Sequence, residues 1–166
     1  QEELGYFYDK TSEYIVEDLH QITLYIKQRY PNKELILFGH SMGSMVVRKY
    51  IKKYDQDIDK LVVCGSPSKN NQVGLALFLV KILEIIKGEH YRSKLIQKLT
   101  FGSYNKGISN PISINEWICT DREVIIAYDK DELCGFIFTL NGFKNLFTLM
   151  KEIYSKKEWI FRNEKL

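Results

Sequence analysis

Apolar positions along this chain switch between helical spacing and short continuous runs, and those switches mark out its elements. Ile15, Leu19, Ile22 and Ile26 recur every three or four residues, which predicts an amphipathic helix with one apolar stripe. Thr11 or Ser12 is its expected N-cap, Glu17, Asp18, Gln21 and Lys27 its wet face, and Pro31-Asn32 its stop. His20, near the middle, is expected at the surface or partly packed. The spacing then gives way to a short continuous run over 35–38, expected as a strand buried on both faces of a parallel sheet. Helical spacing returns over 42–54, where Met45, Val46, Lys49, Tyr50 and Lys53 allow one packed and one solvated face. A second continuous run covers 61–65. Strand, helix and strand in succession predict a βαβ unit with a right-handed crossover. After it the alternation stops. Residues 73–87 read as a strongly apolar helix, 92–99 as a shorter one, 101–115 as loop, and 116–128 and 135–159 as helices. The last carries Phe136, Leu140, Phe143, Phe147, Met150 and Tyr154 on a recurring face, and no third strand is expected.

Between the first run and its helix lies Gly39-His40-Ser41-Met42-Gly43, a G-x-S-x-G pattern in the strand-turn-helix context of a nucleophile elbow. The expected turn is so tight that the residues two positions either side of the serine pass too close for side chains. Gly39 and Gly43 would relieve that clash and leave the Ser41 hydroxyl standing at the C-terminal edge of the sheet. The backbone N–H of Met42, at the start of the following helix, would donate to an oxyanion formed during acyl transfer. A plain turn needs no glycine on both sides of a serine. Ser66-Pro67-Ser68, after the second run, is expected on the same edge, where ligands of open parallel sheets collect.

A serine nucleophile needs a base, and the base needs an orienting group. His90 is the only histidine after the elbow, and it sits in a turn between two expected helices with no strand before it. It reads as a surface turn residue, and Asp121, Asp129 and Asp131 read as helix caps or solvated charges. Two strands do not make an independent doubly wound sheet. The chain, which begins at Gln1, is therefore expected to be an internal segment of a longer protein. The triad acid and histidine would lie beyond residue 166 and the second oxyanion donor before residue 1.

Composition narrows the classes. The chain is 45% hydrophobic and 27% charged with a net charge of +3, a globular balance. Lysines and acids interleave throughout, which excludes the clustered basic face of a nucleic-acid binder. Cys64, Cys119 and Cys134 are widely spaced without a C-x-x-C pair, so no metal site or disulfide framework is expected, and a reducing, cytoplasmic setting follows. No run reaches the roughly 20 apolar residues of a spanning helix.

With these residues in view, the chain resembles the α/β-hydrolase superfamily, and within it the serine aminopeptidase S33-like branch that holds bacterial lysophospholipases and monoacylglycerol lipases. Leu37-Phe38-Gly39-His40-Ser41-Met42-Gly43-Ser44 matches that branch, as does Gly5-Tyr6-Phe7 ahead of Val16-Glu17-Asp18-Leu19. Tyr91 to Leu95, Phe101-Gly102-Ser103-Tyr104-Asn105, Trp117 to Asp121 and Asp131 to Phe136 are similar to the helical lid of bacterial members. Glu116 stands where relatives commonly have aspartate, and the basic residue they often carry near Ile112 is not found here. The resemblance implies an α/β class and a partial α/β-hydrolase fold, a parallel sheet segment with a helical lid or cap insertion. It divides the chain into a core segment at 1–68, a lid at 69–158 and a lead-in to the next core strand at 159–166. It implies a cofactor-free serine esterase acting on a small-molecule lipid ester with one acyl chain, a lysophospholipid or monoacylglycerol, with transient membrane-surface contact through the lid. A non-catalytic binding module, a short-chain carboxylesterase and a peptidase stay open beside it.

Overall fold

The computed structural model describes residues 3–8, 11–156, 159, 162 and 163. Among them, six α-helices and two strands follow in the order α1 (Glu13–Arg29), β1 (Ile36–His40), α2 (Met42–Tyr54), β2 (Lys60–Cys64), α3 (Val73–Lys87), α4 (Lys94–Phe101), α5 (Arg122–Lys130) and α6 (Leu140–Glu152). Short 3-10 turns at Asp55–Asp57 and Glu116–Ile118 interrupt them. The chain forms two compact units, residues 1–8 with 80–143 and residues 9–79 with 144–166.

The second of these units holds the expected βαβ arrangement. β1 and β2 pair in parallel, from Ile36 opposite Lys60 to His40 opposite Cys64, and α2 packs on them. Strand alternation turns Leu37 and Gly39 toward α2. Ile36 and Phe38 point the other way and are 52% and 61% exposed. The expected burial on both faces is therefore not observed among the described residues. α2 covers one face only, and α1 packs on α2 rather than on the sheet. Met45, Val46, Val47, Tyr50 and Ile51 of α2 form the unit's core with Val16, Ile58 and the α6 residues Leu146, Phe147 and Leu149.

The stripe of α1 is also turned from its expected position. Val16 and Thr23 are its buried residues, while Ile22 is exposed. The Thr23 hydroxyl, buried on this side, donates to Leu19 O, and the His20 ring stacks on Tyr54 at 3.6 Å. Ser12 stands at the N-cap but makes no capping bond, because its hydroxyl donates to Glu152. Lys49, buried on α2, is held by Ser12 Oγ (2.8 Å), Glu13 Oε1 (2.5 Å) and Glu152 Oε2 (2.7 Å). Lys52 continues the grip on the end of α6 by donating to Glu152 O and Ser155 O. Further along, the buried Asp55 carboxylate accepts the N–H groups of Arg162 (2.5 Å) and Asn163 (2.8 Å). Burial alone would raise this carboxyl, but the backbone donors outweigh it and hold it below the ordinary aspartate range. The expected lead-in at 159–166 lies largely outside the described residues.

In the other unit the long expected helices are shorter. The segment 116–128 breaks at Cys119–Asp121, and α5 restarts with the Asp121 carboxylate capping the Glu123 N–H at 2.9 Å. α6 begins at Leu140 rather than near Gly135 because other chain segments take the backbone donors at its start. Thr139 N–H goes to Gly5 O, Leu140 N–H to Tyr91 O and Asn141 N–H to Glu89 O. Asn105 ties the loop before α5 together, its amide donating to Ser113 O and accepting from the Trp117 N–H.

Candidate active site

β1 delivers the chain to Ser41 at the C-terminal edge of the sheet, and α2 leaves from the next residue. Ser41 turns this corner at φ +53°, ψ −119°, a conformation an L-residue adopts at a cost of about 1–3 kcal/mol. Three contacts hold it there. Ser41 N–H donates to Cys64 O of β2 at 3.0 Å, and Ser41 O accepts both the Ser44 N–H (3.0 Å) and the Ser44 hydroxyl (2.5 Å). Ser41 itself is exposed, while Ser44 is fully buried. The Met42 N–H, first of α2, has no acceptor among the described residues, as expected of a helix start.

The two motif glycines are not equivalent. A Cβ on Gly39 would lie 2.5 Å from Gly43 O and 2.6 Å from Val47 Cγ2, so the closest approach of strand and helix falls on Gly39. A Cβ on Gly43 would meet nothing within 4 Å. The expectation that both glycines relieve a clash is corrected accordingly: Gly43 contributes its backbone to the contact and needs no missing side chain. His40 ends β1 opposite Cys64, and its ring lies 3.2 Å from where a Cβ of Gly65 would stand. Gly65 has φ +60°, so a side chain there would be both crowded and strained.

The remaining sequence candidates stand elsewhere. His20 lies in α1 with Nδ1 3.5 Å from Asp57. His90 belongs to the other unit, in the turn between α3 and α4, where its ring stacks on Tyr6 at 4.2 Å. Asp121 caps α5, Asp131 accepts the Leu133 N–H in a turn, and Asp129 accepts from Asn115. Hydrogen bonds from Asn115 and Ser113 keep the Asp129 carboxyl below its usual range. Ser66 and Pro67 do follow β2 on the edge that carries Ser41, and they bring in Arg48, which the sequence reading did not single out, and Tyr154, which it placed only on a helix face. Nothing in the pattern of α2 separates Arg48 from its lysine neighbours. Among the described residues, no group of three or more His, Cys, Asp or Glu is placed to hold a metal ion.

The family model of the S33 serine aminopeptidases matches residues 6–160. The chain belongs to this family of α/β-hydrolases. Among solved structures, it is similar to a highly thermostable carboxyl esterase from Bacillus coagulans, crystallised with glycerol, with a TM-score of 0.78 at 23% identity. That likeness covers 87% of this chain and 47% of the esterase, so the S33 chain spans about half the length of that relative. No curated protein matches it.

Proposed function

We propose that this chain carries the nucleophile of a serine hydrolase that cleaves carboxylic esters of single-acyl-chain lipids, lysophospholipid or monoacylglycerol. The observation that carries the reading is Ser41, exposed on a strained corner at the C-terminal edge of a parallel sheet, with an unengaged helix-start N–H beside it. Ser41 Oγ gives its proton to a base and attacks the ester carbonyl. The tetrahedral oxyanion takes a hydrogen bond from Met42 N–H, and collapse expels the alcohol and leaves an acyl-serine. Water then attacks the acyl carbon, returns the proton to Ser41 and releases the fatty acid. None of His20, His40 and His90 is assigned as the base.

The lipid part of the reading is supported by α3. Leu75, Phe78, Ile82, Ile85 and Ile86 recur on its exposed side, with Ile85 at 85% exposure, so the helix turns apolar groups outward. Residues 73–107 also carry six Lys or Arg against two Glu, within a chain whose net charge is only +3. An outward apolar stripe in a basic segment suits transient contact with a membrane or micelle surface through a lid at 69–158. Among the described residues, no helix is long and apolar enough to cross a membrane. The free cysteines fit a reducing compartment, and a cytoplasmic location is part of the proposal.

A second reading, a short-chain carboxylesterase, is favoured by the structural likeness to a carboxyl esterase. The two separate on a panel of esters of rising acyl length, together with monoacylglycerol and lysophosphatidylcholine, assayed with the full-length protein and its Ser41→Ala variant. kcat/KM rising through the long acyl chains and abolished in the variant is the expected result. Hydrolysis confined to acetate and butyrate esters would replace the lipid reading with the second one.

A further inference from the structure

We infer that Arg48 is a positioning residue for the Ser41 corner, acting through the loop that follows β2; this rests on Ser41 being the nucleophile. The loop Gly65-Ser66-Pro67 touches the corner on one side. The carbonyl just before it, Cys64 O, holds the Ser41 N–H at 3.0 Å, and the His40 ring lies across Gly65. Two other side chains grip the same loop. Arg48, half-buried on α2, donates from Nη1 to Ser66 Oγ at 2.9 Å. Its guanidinium also lies 4.6 Å over the Tyr154 ring, with Nη1 3.4 Å from the Tyr154 hydroxyl. Tyr154 in turn donates its hydroxyl to Pro67 O at 2.5 Å.

Successive loop residues are thus fixed by two side chains that also fix each other. A planar guanidinium does this where a lysine cannot, because it stacks on the ring and forks toward an acceptor at once. Arg48 stands two turns beyond Ser41 on the helix that leaves the corner. A loop released from Arg48 takes Cys64 O and the floor beneath His40 with it, and the Ser41 N–H loses its fixed acceptor. Reaction at an oriented nucleophile falls by about a hundredfold for a 1 Å misplacement.

The test compares wild type, Arg48→Met, Arg48→Lys and Tyr154→Phe in the full-length protein. Three quantities are read: the fluorophosphonate labelling rate of Ser41, the melting temperature, and hydrogen exchange of peptides covering residues 64–67. Arg48→Met is expected to slow labelling about ten- to a hundredfold and to speed exchange at 64–67, with a melting temperature close to wild type. Tyr154→Phe, which keeps the ring and loses the Pro67 bond, should show a smaller change of the same kind, and Arg48→Lys should restore part of the labelling. Unchanged labelling with a lowered melting temperature would make Arg48 a structural staple and overturn the inference, as would unchanged exchange at 64–67. A wild type that does not label at all would sink the nucleophile reading instead, and the exchange result would still decide whether Arg48 holds the loop.

Discussion

Replacing Gly39 with alanine tests whether the corner is built as described. The added methyl carbon would stand 2.5 Å from Gly43 O and 2.6 Å from Val47 Cγ2. Ordinary carbon contacts begin at about 3.3–3.5 Å, so both neighbours must withdraw by about 1 Å. Neither yields easily. Gly43 O is backbone in the first turn of α2, and Val47 is buried and β-branched, which leaves it one favoured rotamer in a helix. The first turn of α2 therefore shifts, at an overpacking cost of about 1–3 kcal/mol. For a protein of this size that lowers the melting temperature by about 2–4 °C per kcal/mol. Ser41 and Met42 move with the turn, and labelling by a fluorophosphonate should fall by about a hundredfold. Gly43→Ala is the internal control. Its methyl meets nothing within 4 Å, and alanine is the better helix former by up to about 1 kcal/mol. It should melt no lower than wild type and label within a few-fold of it. If Gly43→Ala proved as damaging as Gly39→Ala, or if Gly39→Ala were neutral, the described contact between strand and helix would be wrong.

Two predictions concern the packing that supports the corner. Lys49→Ala removes a buried cation shared by Ser12, Glu13 and Glu152 and should cost about 2 kcal/mol, the half-exposed carboxylates moderating the loss. Lys53→Ala breaks an ion pair with Glu17 at a half-exposed site and should cost under about 1 kcal/mol; equal losses in urea denaturation would contradict the distinction. Asp55→Ala strands the N–H groups of Arg162 and Asn163 and should destabilise by about 1–3 kcal/mol at pH 7. The folded Asp55 carboxyl titrates below its ordinary value, so its contribution is complete above the unfolded pKa of about 4 and is lost as pH falls through the folded one. The gap between wild type and variant should therefore close in acid, and a gap that widened below pH 4 would refute the assignment.

The parts of this fold that show in the sequence are those where local chemistry decides. The limits of α2 and α3 follow from periodicity, and the Ser41 corner from the residues that flank it. What does not show depends on partners distant in the chain. The buried side of α1 is set by Tyr54 stacking on His20 and by Glu152 reaching Ser12, not by where the isoleucines fall. The start of α6 is set by Gly5, Glu89 and Tyr91 carbonyls that no local pattern announces. At the corner, the five-residue motif treats Gly39 and Gly43 alike. Their difference arises from where Val47 lands one turn into α2. Arg48 and Tyr154 meet only because α6 returns its end to α2.

Whether Ser41 is the nucleophile is read most directly by fluorophosphonate labelling of the full-length protein, with the modified residue located by peptide mass spectrometry. One modified site, Ser41, is expected, with no labelling of the Ser41→Ala variant. Label on another residue, or none on folded wild-type protein, would contradict it, and absence of label would favour a binding module built on the hydrolase fold.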